Sequence, residues 1–195
     1  MTHIIPKQRE ELSELEPMLK MVEASMGFLP TSMLTMAHWP ELTQAFGGLG
    51  ATVLHSGELD AGLKQIIAFA VSNVAGCRYC QAHTANSAQK NSVSSEKIKA
   101  VFEFESSALF SDQEKAALRV AVHAGMVPNA VEAEHMSDLS RYFSEKQVIE
   151  VVAVISLFGF LNRWNDTMAT TLESAPKNFA ANQLASHGWA AGKHE

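Results

Sequence analysis

Cysteine is nearly missing from this chain: its 195 residues hold two, Cys77 and Cys80. That excludes a framework of stabilising disulfides. A bridge across so short a loop would also restrict the unfolded chain very little, which makes stapling a weak reason for the pair. Basic charge is in deficit as well, with 15 Lys plus Arg against 21 Asp plus Glu and a formal charge of -6. Such a surface on average repels phosphate backbones and anionic lipid, so nucleic acid is not an expected partner. Long apolar runs are lacking too. The most apolar stretch, Val151 to Leu161, falls well short of the roughly 20 residues that cross a bilayer. The opening residues, Met1 to Glu14, have no basic segment followed by an apolar run and do not read as a secretory signal. The expectation is a soluble, cytoplasmic protein without a membrane partner.

What is present is ordinary globular composition, 47% hydrophobic and 18% charged, enough for one domain spanning 1–195 to bury a sizeable core. No linker, low-complexity tract or charge block divides the chain. Helical signals dominate, and the fold class read from them is all-α. Leu63, Ile66, Ile67, Ala70, Val71 and Val74 recur at three- and four-residue intervals, the stripe of a helix that Asp60 can cap. Gly76 interrupts that helix, and helical composition resumes from Cys77 to about Lys90. Ser94 marks the next start. Ser111 to Glu114 and Ser144 to Gln147 both have capping-box spacing, and the second opens an apolar segment, Val148 to Trp164, read as a central helix buried nearly all round. Glu10 to Met26 reads as an amphipathic helix, and Gly27 to Pro30 and Trp39-Pro40 as turns around a short segment. Lys64-Gln65-Ile66-Ile67 faintly echoes Lys146-Gln147-Val148-Ile149, a match too short to establish duplication.

The chemistry belongs where the cysteines sit, in the first turn of a helix that follows Gly76. Unpaired N–H groups and the positive end of the helix dipole stabilise a thiolate there, the reactive form of the side chain. At about 100° of helical advance per residue, Cys77 and Cys80 differ by about 60° around the axis, so both sulfurs face one side and can form a disulfide. Arg78 reads as a solvated arginine on another face. His83 follows Cys80 by three residues, in place to take its proton as a general base. The methionines and phenylalanines read as core and subunit-contact residues, Met26, Met33 and Met36 among them. The segment Ser186 to Glu195 shows no recognisable site.

Gly76-Cys77-Arg78-Tyr79-Cys80-Gln81-Ala82-His83-Thr84 resembles the signature of the alkylhydroperoxidase D family, within the carboxymuconolactone decarboxylase-like superfamily. The resemblance extends to the leading apolar helix, the Phe110-Ser111-Asp112-x-Glu114-Lys115-Ala116-Ala117-Leu118 box, the Phe143-Ser144-Glu145 helix start and Asn162-Arg163, covering about residues 25 to 170. It implies an all-helical fold, homo-oligomers such as trimers or hexamers, and a peroxidase that reduces hydroperoxides in antioxidant defence. It further implies that Cys80 attacks, that Cys77 resolves the sulfenic acid as a disulfide, and that a thiol partner re-reduces the pair. Two positions depart from the family pattern. Gln65 stands where the family often has a glutamate, and Thr84 where it usually has its histidine. Asn162-Arg163 reads as a packing or buried hydrogen-bonded element.

Three other readings keep most of these residues. Cys77, Cys80 and His83 offer three ligands at close spacing, and His55, His123 or His135 a distant fourth for zinc in a non-catalytic module. No second Cys or His pair supplies the usual partner motif, so neither metal nor cofactor is expected. The same superfamily includes lactone decarboxylases, which do not need a Cys-x-x-Cys pair. An inactive helical binding module is the third.

Overall fold

Polar caps at helix starts and left-handed residues at helix ends divide the chain. The computed structural model describes residues 2–195. In chain order its helices are α1 (Glu16–Met26), α2 (Thr31–Met36), α3 (Pro40–His55), α4 (Ala61–Ala75), α5 (Arg78–Lys90), α6 (Ser95–Lys99), α7 (Asp112–Gly125), α8 (Ala133–Ser140), α9 (Glu145–Met168) and α10 (Ser174–Gln183). No strand occurs among the described residues. The caps act at the expected places. Asp60 accepts from Leu63 N–H at 3.0 Å, Ser94 from Lys97 N–H at 3.2 Å, and the boxes at Ser111 and Ser144 are both closed in each direction. Each satisfies donors that the first helical turn leaves unpaired.

The segment before α2 departs from the expected single helix. Two 3-10 turns, Arg9–Glu11 and Ser13–Leu15, precede α1, which starts only at Glu16 with Pro17 in its first turn. Proline has no N–H to give the preceding turn, so a helix can begin there but not run through it. Leu12, Leu15 and Leu19 pack with Met33 and Ala37 as a small separate core. Helices α3, α8 and α10 had no counterpart among the sequence expectations.

The main core joins α4, α5, α7, α9 and α10. Ile67, Ala68 and Phe69 of α4, Ala117, Leu118 and Ala121 of α7, and Val151 and Val154 of α9 are all buried within one cluster. Lys64 is drawn into it. Its ammonium, almost fully buried, donates to Val53 O at 2.9 Å and to Ser56 O, and lies 3.3 Å from Glu150 on α9. One side chain thus ties the end of α3 and the start of α4 to α9.

Helix α9 is longer than its apolar stretch and is not buried all round. Val151, Val154, Ile155, Leu157 and Phe158 face the core, whereas Ile149, Val152 and Phe160 are exposed, Ile149 by 67%. In length and composition α9 would pass for a membrane span, but about a third of its most apolar window is packed inside the bundle. With α4 and the end of α7 it lines an open groove of about 1320 Å³ that includes Val74, Ile155, Phe160 and Asn162. Apolar composition sets how many faces a helix can bury; the number of neighbours in the fold sets how many it does.

Candidate functional site: a dithiol at a helix entrance

Gly76, at φ 73°, closes α4 in the left-handed region, where a side chain would be strained. The chain then turns directly into Cys77, an extended residue that caps α5. Its sulfur, rather than an oxygen, takes the capping position and accepts Cys80 N–H at 3.5 Å. Both cysteines are free thiols and both are buried. The helical spacing thus puts the two sulfurs on one side of the helix, as expected.

The environment treats the two thiols differently. The hydrogen bond from the Cys80 thiol, with help from backbone N–H groups of Cys80 and Tyr79, brings the Cys77 thiol below the usual cysteine value, although burial and the charge of Asp166 oppose the shift. Burial pushes the Cys80 thiol well up, and the neighbouring Cys77 pushes it further. Asn165 works against that by donating Nδ2–H to Cys80 Sγ at 3.5 Å. In the reduced pair the sulfur prepared to ionise is therefore Cys77, with the proton retained on Cys80. The helix-entrance argument anticipated an acidic thiol; which of the two it would be depended on capping geometry.

His83, the third residue expected in the site, is reached from a distant segment. Its Nε2 pairs with Glu173 Oε2 at 2.6 Å, and its ring stacks on Tyr79 with centroids 4.2 Å apart. Tyr79 donates its hydroxyl to Glu173 Oε1 at 2.8 Å, and Thr31 N–H donates to the same oxygen. Burial pushes the Glu173 carboxyl up, but the charge and hydrogen bond of His83 and the bond from Thr31 outweigh it and hold it below the ordinary glutamate value. A carboxylate–imidazole pair thus stands beside the dithiol helix, although Gln65 occupies the expected glutamate position. Gln65 is buried in α4. Thr84 donates its hydroxyl to Cys80 O at 2.7 Å, a bond back along its own helix. Arg78 pairs with Gln81 at 3.2 Å.

Three further residues come to the thiols from outside the motif: Asn165, Asp166 and His194. Nothing local marks them, since all lie more than 80 residues along the chain from the cysteines. The histidines weighed as zinc ligands do not join the pair. His123 and His135 pack against each other, tilted, with centroids 4.0 Å apart, and His83 is taken by Glu173. Among the described residues the one grouping of three such donors is Cys77, Asp166 and His194, whose donor atoms lie within 4.8 Å of one another. Asn162 is buried, but both polar atoms of its amide lack a hydrogen-bond partner, unlike the bonded contact expected for it.

Comparison with known proteins agrees with this architecture. The profile of the carboxymuconolactone decarboxylase family matches residues 40–123. The debrominase Bmp8, solved alone and with one cysteine replaced by alanine in complex with 2,3,4-tribromopyrrole, superposes with a TM-score of 0.87 at 37–38% identity, covering 93% of this chain and 97% of that one. An alkylhydroperoxidase AhpD core structure, an uncharacterized peroxidase-related protein from Ralstonia eutropha JMP134, shares the fold with a TM-score of 0.72 at 19% identity, over 89% of this chain and 95% of the other. The uncharacterized protein YnjA of Escherichia coli K12 is 28% identical over 110 residues, a stretch that spans 56% of this chain and 60% of the length of YnjA. The profile match at the dithiol helices, together with the near-full-length likeness to Bmp8, makes this chain a member of the carboxymuconolactone decarboxylase-like superfamily, with a helical fold shared by the AhpD core structure.

Proposed function

We propose that this protein is a dithiol oxidoreductase that delivers two electrons from Cys77 and Cys80 to a hydroperoxide and is returned to the dithiol by an external thiol reductant. The observation that carries the reading is the pair itself: two free thiols on one side of a helix entrance, joined through hydrogen bonds, one favoured as thiolate. In the reaction the Cys77 thiolate takes the Cys80 proton, against the resting preference of the pair, and Cys80 attacks the outer oxygen of ROOH, the order that the family resemblance implies. The O–O bond breaks, ROH leaves after taking up a proton, and Cys80 carries the oxygen as a sulfenic acid. Cys77 then attacks the Cys80 sulfur, the S–S bond forms and water leaves. One peroxide is reduced while two thiols are oxidised. His83, on the same helix and paired with Glu173 at 2.6 Å, is proposed to supply the proton that the departing alkoxide takes up.

The 37–38% identity to Bmp8 over 93% of this chain favours a second reading on the same sulfurs, removal of bromine from a brominated aromatic ring. Halogen would pass to Cys80, the ring carbon would take a proton, and Cys77 would release bromide as the disulfide forms. Lactone decarboxylation leaves both sulfurs without a task and is not proposed. The exposed apolar side of α9 supports assembly of copies as a homo-oligomer, and the cytoplasm is the proposed location because its thiol pools keep such pairs reduced.

Thiol counts decide between these readings. Reduced protein receives one equivalent of tert-butyl hydroperoxide, hydrogen peroxide or 2,3,4-tribromopyrrole, and free thiols, bromide and mass are followed in the wild type, Cys80→Ser and Cys77→Ser. The expected result is loss of two thiols with a hydroperoxide and no disulfide in either variant. Two thiols lost with stoichiometric bromide, and none with hydroperoxides, would replace the first reading by the second. Unchanged thiols with all three reagents would remove both.

A further inference from the structure

We infer that His194 is the proton acceptor of the Cys77 thiol, so that the segment 185–195 supplies the dithiol with a base. The dithiol helix itself offers Cys77 none: the imidazole of His83 is engaged by Glu173, and the hydroxyl of Thr84 by Cys80 O. The imidazole of His194, by contrast, is fully buried. Its Nδ1 lies 2.8 Å from Thr170 O. A carbonyl oxygen only accepts, so Nδ1 carries the hydrogen and, in the neutral ring, Nε2 is a bare lone pair. That Nε2 is buried without a hydrogen-bond partner, and the His194 ring brings a nitrogen into a group with Cys77 Sγ and an Asp166 oxygen that spans at most 4.8 Å.

The segment is held in place for this. Leu172 N–H donates to His194 O at 2.9 Å, Trp189 Nε1–H to Arg78 O at 3.1 Å, next to Cys77, and Lys193 pairs with Asp166 at 2.8 Å. The titratable and charged groups around the two atoms are Cys80, Asp166, Lys193 and Tyr79, the last with its ring 6.0 Å from that of His194. Burial holds the imidazole below the usual histidine value, with Lys193 adding to the effect and the bond to Thr170 and the charge of Asp166 opposing it. The ring is accordingly neutral near pH 7 and free to accept. After proton transfer, Asp166 Oδ1, 3.6 Å from Nε2, faces the new positive charge.

The step is a simple transfer. The S–H bond of Cys77 breaks, the proton goes to His194 Nε2 and the electron pair stays on sulfur. When that sulfur attacks Cys80, the proton leaves with the displaced hydroxide as water. This last step rests on the oxidoreductase reading above; the proton transfer does not.

The test is run without substrate, so a protein inert to hydroperoxides still decides it. In a Cys80→Ser background, thiolate absorbance near 240 nm is followed against pH with His194 intact, with His194→Asn and with His194→Gln. Asparagine keeps an N–H toward Thr170 O but has no atom in place of Nε2, which separates anchoring from proton acceptance. The expected result is a midpoint about one pH unit higher in His194→Asn, hence about tenfold less thiolate near pH 7, with a melting temperature close to the parent's. Midpoints equal to the parent in both variants would overturn the assignment. If neither variant folds, 15N NMR of the imidazole in the Cys80→Ser parent decides. Nε2 gaining a proton as the thiolate appears supports the transfer, and Nε2 remaining unprotonated throughout overturns it.

Discussion

Replacing Glu173 by glutamine keeps the shape of the side chain and removes one buried charge. The carboxylate accepts three hydrogen bonds, from Tyr79 OH at 2.8 Å, from Thr31 N–H, and from His83 Nε2 at 2.6 Å. The amide oxygen can still serve Tyr79 and Thr31, but the amide nitrogen faces His83 and repels a protonated imidazole. Breaking a buried ion pair costs about 3–5 kcal/mol, and both side chains here are only 10% and 13% exposed. That figure is an upper bound, since the variant keeps a polar group against the ring. What is then lost is one charge-assisted hydrogen bond, about 1.5–3 kcal/mol. We therefore expect Glu173→Gln to lose about 2 kcal/mol, or about 4–8 °C in melting temperature for a chain of this size. The pH dependence follows from the depressed carboxyl. Its contribution is complete above the unfolded-state value of about 4.3 and disappears as pH falls through the lower folded-state value. Thermal and urea melts from pH 7 to pH 3 should show a constant gap between wild type and variant down to about pH 5, closing below it. Equal stability at pH 7, or a gap that stays constant down to pH 3, would refute the charged-pair account.

Gly57→Ala should destabilise the fold by about 1–3 kcal/mol, measured by urea denaturation, because φ is 95° and an added Cβ would meet the Glu150 carboxylate that accepts Glu58 and Leu59 N–H. The single-cysteine proteins should differ in alkylation. Cys80→Ser, which retains Cys77, is expected to react faster with iodoacetamide at pH 7 than Cys77→Ser, and its rate should level off at lower pH. Phe160→Asp, on the exposed side of α9, should shift sedimentation toward a smaller species if copies assemble through that face, with little change in helical content.

The dithiol was legible because its determinants are local. Cysteine spacing, the glycine before it and the capping residues of α4, α5, α7 and α9 act over three or four residues, and hydrogen bonds of that span form wherever the helix forms. The all-helical class followed from the same signals. The sequence around His83 carries no sign of its partner, since Glu173 approaches it from 90 positions along the chain. Pro17 starts α1 late, a local break that the amphipathic pattern from Glu10 to Met26 masks. The apolar run in α9 suggests full burial because composition reports a preference for neighbours, not their number.

Sequence alone therefore determined where α4, α5, α6, α7 and α9 begin, that the fold is helical, and that two thiols share one side of a helix entrance, all consequences of interactions between near neighbours. Tertiary packing decided the electrical character of those thiols. Asn165, Asp166, Glu173 and His194 meet α5 only because α9, α10 and the final turn pack against it, and a pKa depends on distance and burial in space, not on separation along the chain.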